Sequence, residues 1–187
     1  MTARLIMWNL VTLEGFFEGP KKWDLDWHEY VWGDELEQLS LEQGETADAL
    51  LFGRVTYEGM AAYWPSAKGE VADWMNSVPK VVFSRTLDKA SWNNTKVVKG
   101  NLAAEIRKLK KELGGPMTIL GSGSIVSQLA QEGLIDEYSF AVNPVVLGEG
   151  RTMFDGMKEK LALQRTKSRT FGNGNVVLSY EPTTAGA

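Results

Sequence analysis

The sequence predicts an α/β domain of three layers: a mixed, mostly parallel sheet between helices, ending in an antiparallel hairpin. Three observations carry this. Short apolar runs at Ala49-Leu50-Leu51-Phe52, Lys80-Val81-Val82-Phe83 and Met117-Thr118-Ile119-Leu120 each end in a polar turn, as buried strands feeding helices do. Between the second and third runs lies a helix capped by Asn101, with Leu102, Ile106, Leu109 and Leu113 as its apolar stripe and Gly114-Gly115-Pro116 as its stop. The last third turns to strand-like segments at 138–142, 161–171 and 175–181, the latter two joined by the hairpin turn Gly172-Asn173-Gly174. Alternation first and a hairpin last argue that the parallel part of the sheet is built first.

Taken in order, residues 5–13 are apolar and branched enough for a strand buried on both faces, with Glu14-Gly15 ending it. Residues 18–32 are rich in Gly, Pro, Asp and Trp and read as a long loop, a length that marks functional segments. A helix runs from Asp34 to about Gln43, where Gly44 breaks it. The strand 49–52 ends at Gly53 and is followed by a helix over 56–63, stopped by Pro65. The strand 80–83 ends in Ser84-Arg85-Thr86. On the helix after Asn101, Arg107, Lys108, Lys110 and Lys111 form a solvated face. The strand 117–120 ends in Gly121-Ser122-Gly123-Ser124, and a short helix covers 124–132.

With 187 residues, 43% of them apolar and 24% charged, and no linker between apolar segments, the chain reads as one domain over 1–187. It has no Cys and one His, His28, which excludes disulfides, thiol nucleophiles, zinc fingers, iron–sulfur clusters, a catalytic triad and a multi-His metal site. No metal site is expected. The net charge of −4 gives no basic field, so no nucleic-acid partner is expected. The start, Met1-Thr2-Ala3-Arg4, lacks a signal-peptide pattern and no apolar run is long enough to span a bilayer, which predicts a cytoplasmic protein without a membrane partner. Of seven Trp, three (Trp23, Trp27, Trp32) fall within the 18–32 loop, where they form either a flat-ring pocket or a core anchor.

Ligands of open α/β sheets bind where strands end and helices begin. Three such ends here suit an anion. Gly121-Ser122-Gly123-Ser124-Ile125 leads directly into a helix, so backbone N–H groups and the positive helix end can approach a phosphate; the same turn is also an ordinary cap. Gly53-Arg54-Val55-Thr56 adds a guanidinium to that logic, although Arg54 can equally pair with a surface carboxylate. Ser84-Arg85-Thr86 brings hydroxyls and a second guanidinium. The late Gly-rich turn matches neither the dinucleotide fingerprint of a first strand nor a P-loop.

Gly53-Arg54-Val55-Thr56-Tyr57-Glu58, Val81-Val82-Phe83-Ser84-Arg85-Thr86-Leu87 and Leu120-Gly121-Ser122-Gly123-Ser124-Ile125, in this order and spacing, resemble the dihydrofolate reductase-like superfamily. Within it the chain is most similar to stand-alone relatives of the reductase domain of the bifunctional riboflavin-biosynthesis deaminase-reductase. The resemblance spans about Arg4 to Tyr180. It implies an eight-stranded mixed sheet, NADPH at the strand ends, and a homodimer. By position, Gly53, Arg54, Thr56 and Gly121, Ser122, Gly123, Ser124, Ile125 would hold the pyrophosphate and ribose region. Ser84, Arg85 and Thr86 would face the 2′-phosphate, and Val11 at the end of the first strand would touch the cofactor. The segment Thr12-Leu13-Glu14-Gly15 resembles the Ser-Leu-Asp-Gly that follows the first strand in the family. The zinc-dependent deaminase half is excluded by the missing cysteines, and no basic cluster is assignable to a substrate's ribose phosphate.

These features lead us to expect hydride transfer from NADPH to a small heterocyclic substrate, either the aminouracil ribosylamine of riboflavin biosynthesis or a pterin-like compound. The acceptor is expected between Asn9 to Val11 and the helix starting at Asp34, against Trp27 and Trp32. Asp34 and Glu37, one helical turn apart, would present a carboxylate to an amino-pyrimidine; as isolated acids in a first turn they also simply suit the helix dipole. His28 is either a proton donor or a packing residue. Two rivals stand beside this reading: a nucleotide-binding module without turnover, and a reductase of unrelated nitro or carbonyl compounds.

Overall fold

In strands buried on both faces, alternate residues must meet different helices, which is why their sequences are continuously apolar. The computed structural model, which describes residues 2–183, shows this directly; Met1 and residues 184–187, parts of the expected 1–187 domain, lie outside the described residues. In chain order the elements are β1 (Leu5–Val11), β2 (Phe16–Glu18), α1 (His28–Val31), α2 (Asp34–Gly44), β3 (Ala49–Gly53), α3 (Arg54–Tyr63), a 3-10 turn (Trp64–Ser66), α4 (Glu70–Ser77), β4 (Lys80–Phe83), β5 (Thr95–Val98), α5 (Leu102–Glu112), β6 (Met117–Leu120), α6 (Gly123–Gln131), β7 (Glu137–Val142), β8 (Arg151–Thr152), β9 (Leu163–Thr170) and β10 (Val176–Pro182). From β3, Ala49 and Leu51 face Ile106 of α5 and Val126 and Leu129 of α6, together with Leu5, Met7, Met117 and Ile119. Leu50 and Phe52 face Tyr57 of α3 and Val71 and Met75 of α4 on the other side, with Val82 and Trp92.

Eight strands form one sheet in the order β5-β4-β3-β6-β1-β7-β10-β9. The β5–β4, β4–β3, β3–β6, β6–β1 and β1–β7 pairs are parallel, whereas β10 runs antiparallel to both β7 and β9. Hence β10 alone opposes the sheet direction. The mixed, mostly parallel sheet with a closing hairpin is the architecture expected from the sequence.

Several local readings change. The segment expected as an irregular 18–32 loop ends strand β2, which pairs with β8 as a separate two-stranded sheet, and carries the one-turn helix α1. Helix α4 and strand β5 were not legible. Gly69, Asn76 and Ser77 make α4 look like loop in sequence, yet Val71, Ala72 and Met75 bury a full face. Strand β5 is a four-residue edge whose first half, Thr95-Lys96, is polar. Of the four basic residues expected on a solvated face of α5, Lys110 is largely covered: its Nζ lies 2.5 Å from Asp136 Oδ2 and its side chain is 15% exposed. Asn101 caps α5 as expected, its Oδ1 accepting from Ala104 N at 3.0 Å.

Lys80 is the unexpected member of the core. Its ammonium donates to the carbonyls of Val78 at 2.7 Å and Asn76 at 3.2 Å and sits 4.4 Å over the Trp92 ring. Burial pushes its pKa down to about 8, so it remains charged at neutral pH and anchors the entry to β4.

Candidate functional site

The carboxyl ends of β1, β3, β4 and β6 open into one cavity of about 910 Å³. Its position follows from the topology: α3 leaves β3 on one face and α6 leaves β6, the adjacent strand, on the other, so the two connections diverge and leave a cleft between them.

The two turns that border this cleft are tied together. Ser122 adopts the left-handed conformation at φ 62° and its amide donates to Thr56 Oγ1 at 3.0 Å. The Ser122 hydroxyl accepts from Gly53 N at 2.9 Å and donates to Leu120 O at 3.1 Å. Gly121 N donates to Asn9 Oδ1 at 2.9 Å. Gly121 is itself at φ +57°, and a Cβ there would fall 2.8 Å from Thr56 Cγ2, so glycine is required for both conformation and close approach. The sequence reading gave Gly53, Gly121 and Ser122 to the ligand through their backbone. In the fold those N–H groups are spent on holding the cradle's shape, and helices α3 and α6 start beside it at Arg54 and Gly123. Ile125 lines the same wall.

Arg54 lines the cavity with its Nη1 3.2 Å from Glu58 Oε1, the surface pairing weighed as its alternative. Ser84 and Arg85 line the next strand end, and the Ser84 hydroxyl accepts from the amides of Leu87 and Thr86 at 3.0 and 3.2 Å, so it shapes the turn. The opposite wall of this end, Val98 to Ala103, was missed by sequence reasoning because it follows the unrecognised strand β5.

Five expected site residues stand elsewhere. Val11, the last residue of β1, is buried off the cavity wall, its carbonyl accepting from Asn143 N and Nδ2. Thr86 is exposed and off the wall, turned back on Ser84. Trp27 is 1% exposed and packs edge-on against His28 at 4.4 Å, a core anchor and not a pocket wall. Asp34 and Glu37 are exposed and off the wall, because burial of Leu36 fixes the phase of α2. At 100° per residue, Leu36, Ser40 and Gln43 then share the cavity face, Asp34 points opposite and Glu37 sideways. Asn9 and Trp32 do line the cavity.

The aromatic wall is larger than the loop cluster suggested: Trp8, Trp23, Trp32, Trp64 and Trp74 all line the cavity. No local signal groups residues 8, 64 and 74, which come from β1, the 3-10 turn and α4. Trp23 reaches across to α3, where a Cβ on Gly59 would run into its ring. Its backbone amide donates to Glu18, and Glu18, 4% exposed, is also paired with Arg151 at 2.9 Å. His28 lines the cavity as well, and burial pushes its pKa down to about 4, so the imidazole is neutral at physiological pH.

Among the described residues no cluster of metal-ligating side chains occurs, and no helix is long and apolar enough to cross a membrane. The model of the family described as RibD C-terminal domain matches residues 3–177. The uncharacterised protein YyaP of Bacillus subtilis is 32% identical over 186 residues, covering 95% of this chain and 94% of its own. A structure from Shewanella sp. PV-4, a protein assigned to riboflavin biosynthesis, is similar with a TM-score of 0.78 at 23% identity, covering 98% of this chain and 99% of that one. Dihydrofolate reductase of Enterococcus faecalis, solved with NADP(H), is similar with a TM-score of 0.64 at 15% identity, covering 98% and 99%.

Proposed function

The chain belongs to the RibD C-terminal domain family, which is reductase-like, and from that premise we propose that it is an NADPH-dependent oxidoreductase acting on a flat heterocyclic acceptor. The observation that carries the reading is the pair of interlocked turns at Gly53–Thr56 and Gly121–Ile125, flanked by two guanidinium groups. A pyrophosphate needs converging N–H donors and cations, and this cleft offers two helix N-termini with Arg54 beside them. Arg85, one strand further, suits a 2′-phosphate. The donor set therefore fits NADPH.

A bound NADPH would supply a hydride, and the reduction would need one proton besides. The chain's own groups bind and orient. Arg54, Gly123 and Ser124 hold the diphosphate, Asn9 fixes the cradle from β1 through Gly121, and the tryptophans exclude water around the acceptor. His28 is neutral, and the two carboxylates of the wall are ion-paired, Glu18 with Arg151 and Glu132 with Arg107, so this reading takes the proton from solvent.

Titrating the protein with NADPH while following tryptophan fluorescence tests the cradle. Oxidation at 340 nm with pyrimidine, pterin, nitro and carbonyl acceptors tests turnover: saturable NADPH binding with no oxidation by any acceptor would replace this reading with a nucleotide-binding module, and a nitro or carbonyl preference with a reductase of unrelated compounds.

A further inference from the structure

Trp8, Trp23, Trp32, Met60, Trp64 and Trp74 line the cavity together with Ser40 and Gln43 of α2 and the neutral His28 of α1, and this tryptophan-rich wall is taken as the acceptor half. The acids of α2 all turn away from it. Glu35 accepts from Gly172 N at 2.6 Å, Glu42 pairs with Arg169 at 3.2 Å, and Asp34 and Glu37 are exposed. Glu18 is the carboxylate on the cavity wall nearest this half in sequence, and Arg151 and the Trp23 amide already occupy its oxygens. The wall's cations are mostly committed: Arg54 on α3's first turn is paired with Glu58 at 3.2 Å, Lys99 after β5 with Asp88 at 3.0 Å and Arg151 on β8 with Glu18 at 2.9 Å, while Arg85 stands after β4. A phosphorylated or carboxylated substrate placed against the tryptophans would lose its hydration and meet cations that are already paired, and an amino-pyrimidine would find no unpaired carboxylate to accept its hydrogen bonds.

Resting on the cofactor reading above, we propose that the substrate of this site is an uncharged planar aromatic molecule, stacked between tryptophans and oriented by hydrogen bonds to Ser40 and Gln43, and not a ribose phosphate or a pterin. Indole faces suit a flat neutral ring in offset or edge contact, and the hydroxyl and the amide can each donate to or accept from a ring carbonyl or nitrogen without demanding charge.

The test is calorimetric titration of NADP⁺-saturated protein with 1,4-naphthoquinone, its 2-sulfonate and ribose 5-phosphate. The neutral ring should bind at least ten times more tightly than the sulfonate, ribose 5-phosphate should not bind, and Trp32→Ala should weaken the neutral ring about tenfold while leaving the NADP⁺ Kd unchanged. Equal or tighter binding of the sulfonate, binding of ribose 5-phosphate, or no binding of the neutral ring overturns the proposal. If NADP⁺ itself fails to bind, the cofactor reading fails, and the same ranking measured on the free protein decides the acceptor proposal by the same criteria.

Discussion

Arg85 stands exposed after β4, whereas Arg54 on the neighbouring strand end is partly committed to Glu58. The two should therefore differ under mutation. Arg85→Ala is expected to raise the NADPH Kd by roughly tenfold or more, from about 1.5 to 3 kcal/mol for a charged hydrogen bond, and to leave NADH binding nearly unchanged; equal losses for both would remove the 2′-phosphate role. At His28 the consequence is pH dependence. Burial holds its pKa at about 4 against the ordinary 6.5, so between these values the unfolded chain binds the proton and the native chain does not. The stability it contributes is present above pH 6.5 and is lost as pH falls toward 4. Urea midpoints measured at pH 7 and pH 5 should lie closer together in His28→Phe than in the parent. At this scale the turn residues were legible in sequence because glycine, serine and arginine at strand ends act through local backbone geometry. Asp34 and Glu37 were misread because a helix's phase is set by what its apolar residues bury, here Leu36, and that partner lies in other elements.

Among the elements, β2 and β8 decide how the 19–27 segment lies. Glu18 of β2 holds Arg151 of β8 and the Trp23 amide, and Trp23 closes on Gly59 of α3. Glu18→Gln should release that segment, because hydrogen bonds to a buried charge contribute about 1.5 to 3 kcal/mol. Acrylamide quenching of tryptophan fluorescence should increase in this variant, and the increment should vanish when Trp23→Phe is added. The strong strands β3, β4 and β6 and the capped helix α5 were plain in sequence, since each carries its own apolar pattern and stop. Helix α4 and strand β5 were not: α4 is one short amphipathic face hidden among breakers, and β5 is made a strand by pairing with β4, not by its own composition. The wall 98–103 was lost along with β5.

For the whole molecule, the parallel arrangement of β5, β4, β3, β6, β1 and β7 brings turns distant in sequence to one edge, and only topology assembles the five tryptophans from four separate stretches of chain. We propose, from the resemblance alone, that the chain works as a cytoplasmic homodimer; sedimentation should give twice the chain mass across the micromolar range, and a monomer there would refute the dimer. The lashing of Ser122 to Thr56 and Gly53 has a consequence for how such a protein can diversify. Under the proposed cofactor reading, the internal wiring of the cradle and the separate turn of Ser84-Arg85 make nucleotide preference a detachable trait. Rewriting that one turn, for instance with an acid in place of Arg85, should move the protein from NADPH toward NADH without disturbing the cradle, while the tryptophan wall drifts independently toward new acceptors.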